Sequence, residues 1–427
     1  MESQISGGID RTAGSIIFLN RFFHPDHSAT SQILGDLAFY LAEEGEPVHV
    51  IASRQRYNQP DANLAVTERT RSVQIHRVAA TRFGRAWLIG RAIDYLSFYL
   101  SAGWTLVHLA RREDVVVVKT DPPMLSIVVA AIARFKGFKV VNWLQDLYPE
   151  VAAELGVTLV RGRLGSALAV LRNRSLCAAS LNVAIGEDMA KRLHAVGLPW
   201  ENIEVIPNWT DNDSIVPIER AANLLRRQWS LDEKFVIAYS GNLGRAHDVE
   251  TLLGAAEQLK PRTDIVFLFV GGGHGFVEIN MEASRRGLSN LVFKPYQPRE
   301  NLSQSLGVGD VHWLSLKAGL DGLILPSKFY GIAAAGRPIV VIGSRDGEFS
   351  RLITQFDCGF HVGLGQSGDL AHGLVSLADN ERRCREQGLN ARRMLDDRFA
   401  KSLALERWHA VLRSVADESR PFDGRIP

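Results

Sequence analysis

The sequence predicts an α/β protein of two doubly wound, Rossmann-like domains facing a central cleft, with a helical C-terminal tail. Three observations predict it. Short apolar runs alternate with helical stretches through the first half of the chain. The segment Pro207-Asn-Trp-Thr-Asp-Asn-Asp213 breaks that alternation, which then starts afresh. The restart, from Phe235 to Leu253, has the form of a phosphate-binding unit: an apolar β-rich run, the turn Ser240-Gly-Asn-Leu-Gly244, Arg245, and then Val249, Leu252 and Leu253 at helical spacing.

In chain order, the first strand is expected at 15–20, a polar loop at 21–30 and a helix at 31–44 that Gly45 ends. Strands at 47–52 and 73–78 follow. The stretch 92–110 has the length of a membrane span, but Asp94, Gly103 and His108 interrupt it, so it reads as a buried or interfacial helix. Four successive valines after Asp114 mark a strand buried on both faces. Strands at 139–144, 181–185 and 203–206 complete the first half. In the second half strands are expected at 235–240, 264–270, 291–293, 310–314, 338–342 and 359–362, with helices between them and a helical tail over 367–419. The domains accordingly run 1–210 and 211–395, with 396–427 a helix expected to pack back toward the first domain.

Composition narrows the function classes. Hydrophobic residues make up 46% of the 427, enough for two full cores, and a net charge of +2 gives no global case for nucleic acid. Charge is uneven locally: 69–91 holds six arginines and 155–186 four, with no acid in either. They read as solvated helix faces, or as contacts with an anionic membrane surface or a phosphate-bearing acceptor. Three scattered cysteines, Cys177, Cys358 and Cys384, fit a reducing compartment and argue against a zinc site or disulfide frame. The first 14 residues are polar and hold no signal-peptide core, so a cytoplasmic chain is expected.

Several segments carry residues suited to chemistry. Arg245 offers a fork of donors to phosphate beside a glycine turn. Ser327 and Lys328 stand at a second expected helix start, before the small-residue run Ala333-Ala-Ala-Gly336, which otherwise reads as a tight helix–sheet contact. Arg245 and Lys328 would clamp one diphosphate from two loops. Val270-Gly-Gly-Gly-His-Gly275 reads as a tight turn or as a pocket wall; Phe276 stands where a dinucleotide fingerprint needs glycine, so a nicotinamide cofactor is discounted. Asp146 and Glu150 follow a strand, either capping a helix or facing the cleft. His24, Asp26 and His27 fit no zinc spacing, and Asp211-Asn-Asp213 lies in a linker, so no metal is expected.

Phe23-His-Pro-Asp-His-Ser-Ala-Thr-Ser31, Thr120-Asp-Pro-Pro123, Gln145-Asp-Leu-Tyr-Pro-Glu150, Ile206-Pro-Asn208, Ser240-Gly-Asn-Leu-Gly244 and Pro326-Ser-Lys-Phe-Tyr330, in this order, resemble glycosyltransferase family 4. Those are retaining enzymes of the GT-B fold, and the nearest subgroup is similar to bacterial envelope polysaccharide transferases of the colanic-acid and O-antigen fucosamine-transferase type. The resemblance implies transfer of a sugar from a nucleotide donor, UDP- or GDP-linked, with no other cofactor. It implies catalytic roles for Asp146, Arg245 and Lys328, and donor contacts at Gly241, Asn242, Gly244, Arg245, Gly272, Gly273, Tyr296, Ser327 and Lys328. It places acceptor contacts at His24, Asp26, Ser28, Thr30 and Glu150. The family's second basic residue after Arg245 has no match, since His247 and Asp248 occupy that region, and Lys328 is expected to compensate. Two glutamates eight positions apart are also missing; Leu323 and Gly331 stand in their places. The acceptor is expected to be a polyprenyl-diphosphate-linked saccharide, because Trp87, Tyr95, Phe98, Tyr99 and Trp104 form an aromatic, amphipathic stretch suited to a membrane interface. The protein is then peripheral on the inner face of the plasma membrane. A nucleotide-sugar epimerase or hydrolase on the same fold, or a non-catalytic nucleotide-sugar-binding scaffold, are the alternatives.

Overall fold

The computed structural model describes residues 14–84 and 88–417. The chain before Gly14, Arg85, Trp87 and everything beyond residue 417 lie outside the described residues, and so do the expectations that fall on them.

The first domain is built on β1 (Ile16–Leu19), β2 (Val48–Ser53), β3 (Thr67–Thr70), β4 (Val73–Val78), β5 (Val115–Lys119), β6 (Lys139–Leu144), β7 (Leu181–Ala184) and β8 (Ile203–Val205). They form one sheet in the order β3-β4-β2-β1-β5-β6-β7-β8. Every described pairing in it is parallel except β3 with β4. β3 is missing from the sequence reading because Thr-Glu-Arg-Thr carries no apolar residue to mark it. Its helices are α1 (Ala29–Glu43), α2 (Leu88–Leu109), α3 (Leu125–Lys136), α4 (Glu150–Glu154), α5 (Arg163–Cys177) and α6 (Glu187–Ala195). The valines of β5 are all buried, since the sheet has a core on each face.

The second domain carries β9 (Phe235–Asn242), β10 (Ile265–Gly272), β11 (Leu291–Lys294), β12 (Val311–Ser315), β13 (Ile339–Ile342) and β14 (Gly359–Val362), all parallel, in the order β11-β10-β9-β12-β13-β14. Around them lie α7 (Leu224–Gln228), α8 (Glu250–Gln258), α9 (His274–Arg285), α10 (Leu302–Gly307), α11 (Lys328–Ala334), α12 (Glu348–Gln355), α13 (Ser367–Ala378) and α14 (Glu381–Arg398). α15 (Lys401–Ala416) then returns to the first domain. Its Trp408 is fully buried, 4.5 Å ring to ring from Trp143 of β6. Lys139 of β6 donates to the carbonyls of Val415 and Ala416 at its C-terminal end, at 2.8 and 3.0 Å. The two crossings of the domain boundary meet where Thr210 bridges Ala400. Asp36 of α1 holds both, accepting from Trp209 Nε1 at 3.1 Å and Lys401 Nζ at 2.9 Å.

Among the parallel strands of each sheet the order reverses once, between β1 and β5 and between β9 and β12. An open parallel sheet binds ligands beyond its strand ends at that reversal. The loops after β1, β5, β9 and β12 are therefore where a site is expected.

Candidate functional site

On the second domain, the ends of β9 and β10 run side by side, Gly241 opposite Gly271 and Asn242 opposite Gly272. Gly241 has φ 128°, and a Cβ there would lie 2.6 Å from Lys328 Cε. Gly273 has φ 111°, and a Cβ there would overlap Asn242 Oδ1. Both positions require glycine, and the result is a floor of exposed backbone that a phosphate can approach. Lys328, the first residue of α11, reaches across this floor with Nζ 5.3 Å from the centre of the Tyr239 ring. No carboxylate pairs with it among the described residues, and burial pulls its ammonium down to about 8. An arriving diphosphate would supply the missing counter-charge.

His247 completes this corner. Burial, with Lys328 nearby, lowers it to about 4, so it is neutral at pH 7. Its Nδ1 is 2.8 Å from the Ser315 carbonyl, and its Nε2 3.2 Å from the Tyr239 hydroxyl. The residue in the place of the family's second cation therefore braces Tyr239, under the lysine, and carries no charge itself. Tyr296 stands over Gly272, where a Cβ would be 3.2 Å from its ring. Ser327 is exposed and opens onto a cleft that it shares with Ala29, Gln32 and Asp36 of the first domain.

The first phosphate loop differs from its sequence reading. α8 does not follow the glycine turn directly but starts at Glu250, and Asp248 Oδ2 already accepts the Thr251 N–H there at 3.2 Å. The helix start that was to receive the phosphate thus holds a carboxylate. Gly244 has open space around it. Arg245 is exposed in the intervening turn, with no hydrogen bond or ion pair to its guanidinium among the described residues, free to swing onto a ligand.

On the first domain, Asp146 follows β6 at the sheet's carboxyl edge. The Gln145 and Asp146 amides point at Thr120 Oγ1, at 3.1 and 3.4 Å, which ties this loop to the one after β5. Burial, and then the neighbouring Asp121, raise the Asp146 carboxyl to about 7. Asp121 lies in a motif the sequence singles out; its effect on Asp146 comes from the pairing of β5 with β6, which no local pattern reveals. The second domain closes over this loop. Asp146 bridges Ile324, and the Leu147 N–H donates to the Leu323 carbonyl at 2.9 Å. Leu320 and Leu323 bury into the first domain's core. That gives a physical reason for the absent first glutamate: position 323 is an inter-domain hydrophobic contact. At Gly331 a Cβ would make only ordinary contact, 3.6 Å from Leu306, and nothing in the structure explains the glycine.

The expected acceptor residues each carry contacts of their own. His24 sits at the rim, its ring edge-on to Phe39. Asp26 is buried and fully used, accepting the N–H of Ser28 at 2.8 Å and of Tyr57 at 2.5 Å, so it fastens two loops together. Ser28 is the N-cap of α1, its hydroxyl buried without a partner. Thr30 turns its carbonyl to Lys119 Nζ at 3.3 Å. Glu150 pairs with buried Arg172 at 2.5 Å, joining α4 to α5, and is committed to structure on that oxygen. Among the described residues no group of three or more His, Cys, Asp or Glu side chains is arranged to hold a metal ion.

The two arginine clusters are engaged in ion pairs in part. Arg71, Arg77, Arg82 and Arg172 pair with Glu43, Glu68, Asp61 and Glu150. The outer apolar face of α2 is exposed and meets no partner among the described residues. Ile89, Ile93, Leu96, Leu100, Trp104 and Val107 form an exposed stripe at helical spacing, opposite buried Phe98, Ala102 and Leu106. No described helix is long and apolar enough to cross a membrane.

Comparison with known proteins agrees with this architecture. Residues 29–209 match the glycosyl transferase 4-like domain, and residues 222–394 match the glycosyl transferases group 1 domain. A protein of Escherichia coli K12 named colanic acid biosynthesis glycosyl transferase WcaI is 27% identical over 78% of this chain and 84% of its own. Sucrose-phosphate synthase of Thermosynechococcus elongatus superposes with a TM-score of 0.76 at 15% identity, over 94% of this chain and 98% of its own. Anabaena Alr3699/HepE, solved in complex with UDP-glucose, superposes with a TM-score of 0.71 at 17% identity, over 94% and 99%.

Proposed function

The chain belongs to the glycosyltransferases that join a 4-like domain to a group 1 domain, and from that premise we propose that it moves a sugar from a nucleoside diphosphate to a lipid-linked saccharide, retaining the configuration at the anomeric carbon. One observation carries this reading: an unpaired, partly buried lysine lies against two glycine strand ends, at the strand-order reversal of one domain, while Asp146 holds the matching edge of the other.

In the proposed reaction the diphosphate lies over Gly241, Asn242 and Gly273, held by Lys328 and by Arg245 swung inward. Tyr296 and Gly272 flank the base. The bond from the anomeric carbon to the diphosphate oxygen breaks, and its electron pair leaves with the nucleoside diphosphate. Lys328 and Arg245 are placed to stabilise that growing charge. The acceptor hydroxyl attacks the same face, and the departing phosphate oxygen takes its proton. Asp146, ionised, steadies the cationic sugar or orients the acceptor. The likeness to a protein solved with UDP-glucose favours a uridine donor over a guanosine one. The apolar stripe on α2 supports a peripheral seat on an anionic membrane surface, where a polyprenyl-diphosphate acceptor would be met.

Thermal shift with a panel of nucleotide sugars tests the donor half. Stabilisation by one UDP- or GDP-sugar, lost in Lys328→Met, is the expected outcome; a panel without effect would count against it.

A further inference from the structure

Glu348 belongs to the second domain, yet its carboxylate accepts the backbone N–H of Asp188, in the first turn of α6 of the first domain, at 3.2 Å. The Glu187 amide also hydrogen-bonds to it. α6 has no side-chain cap of its own, because its N-cap residue is Gly186. The backbone there is extended, φ −168° and ψ 161°, so conformation does not demand glycine. Space does: a Cβ at Gly186 would overlap both oxygens of Glu348. The helix end is thus left open and then filled from the other domain.

Two contacts reinforce it. Arg351, in the same turn of α12, forks onto Asp188 at 2.8 and 3.1 Å. Arg192 Nε donates to the Asp321 carbonyl at 2.6 Å. The position matters because of strand order. With the base over β10 and β11 and the diphosphate over β9, the sugar end of a donor points toward β12 and β13, and Glu348 opens α12, the helix that follows β13.

We propose that Glu348 is a positioning residue for transfer: by capping α6 across the domain boundary it fixes the sugar end of the donor site against the first domain, and so sets the distance from donor to Asp146. This rests on the transferase reading above.

The test uses Glu348→Ala, Glu348→Gln, Gly186→Ala and the double variant Glu348→Ala/Gly186→Ala, all full-length. In Glu348→Ala the amides of Glu187 and Asp188 exchange hydrogen faster, and kcat/KM for transfer falls about tenfold, while affinity for UDP, held by the second domain alone, stays within about twofold. Glu348→Gln keeps an acceptor oxygen and retains transfer within about threefold. Gly186→Ala reproduces the defect by pushing the carboxylate out. In the double variant the alanine meets no carboxylate, so it is no worse than Glu348→Ala alone. Wild-type exchange and transfer in Glu348→Ala, or defects that multiply in the double variant, would overturn the proposal. A wild type without any transfer would sink the transferase reading instead, and the exchange measurement would still decide the contact.

Discussion

In the proposed reaction the donor site turns on Lys328. Its ammonium is pulled from 10.5 to about 8 by burial, so it binds a proton less readily folded than unfolded. The cost is full below about pH 8 and is relieved as pH rises toward 10.5. Lys328→Met should therefore raise the melting temperature at pH 7 while weakening nucleotide binding. A bound diphosphate favours the charged form, so UDP affinity should fall as pH rises past about 8, by isothermal titration, and Lys328→Met should lose that dependence. Asp146 runs the other way. Raised to about 7, its ionised form grows in through neutrality, and kcat/KM should climb across that range. Asp146→Asn should flatten the limb and stabilise the fold above pH 7. Arg245→Ala should lower kcat/KM about 10- to 100-fold, the worth of a charged hydrogen bond, without moving the melting temperature. A near-normal rate would remove Arg245 from the mechanism. Arg245, Lys328 and Asp146 stand out in the sequence as candidates because each follows a strand end or opens a helix. Asp26 and Asp248 look just as suitable there, and only three-dimensional pairing shows that they are engaged in the fold, while Glu150 is engaged on one oxygen.

At the scale of elements, α2 and α15 carry the clearest consequences. Alternation of apolar runs made most strands readable, and failed for β3, whose four residues are all polar. Helical periodicity placed α2, but did not reveal that it is apolar on two opposite faces. Leu100 and Trp104, 68% and 71% exposed, lie at the centre of the outer face. Replacing both with glutamate should abolish flotation with anionic liposomes and leave UDP binding intact; equal flotation would leave α2 without a membrane role. α15 contributes to stability. Trp408→Ala removes a side chain buried against Trp143 and should cost about 3–5 kcal/mol, read by denaturant unfolding of the first domain.

At the scale of the whole molecule, the two sheets present their strand-order reversals to a common cleft. The restart of the pattern at Phe235 made two domains legible. Their closure was not, because it depends on pairs far apart in the chain: Leu147 with Leu323, Asp188 with Arg351, Gly186 with Glu348. The same closure makes the missing glutamate intelligible, since Leu323 belongs to a core, not to a sugar site. In the proposed reaction a donor held by the second domain gives its sugar to an acceptor held by the first. Product mass measures it directly, with the purified protein, a UDP-sugar and a polyprenyl-diphosphate saccharide, in wild type and Lys328→Met side by side. The acceptor should gain one sugar with release of the nucleoside diphosphate, and the variant should lose that product. A donor that is only epimerised or hydrolysed, or a variant that transfers as well as wild type, would contradict it.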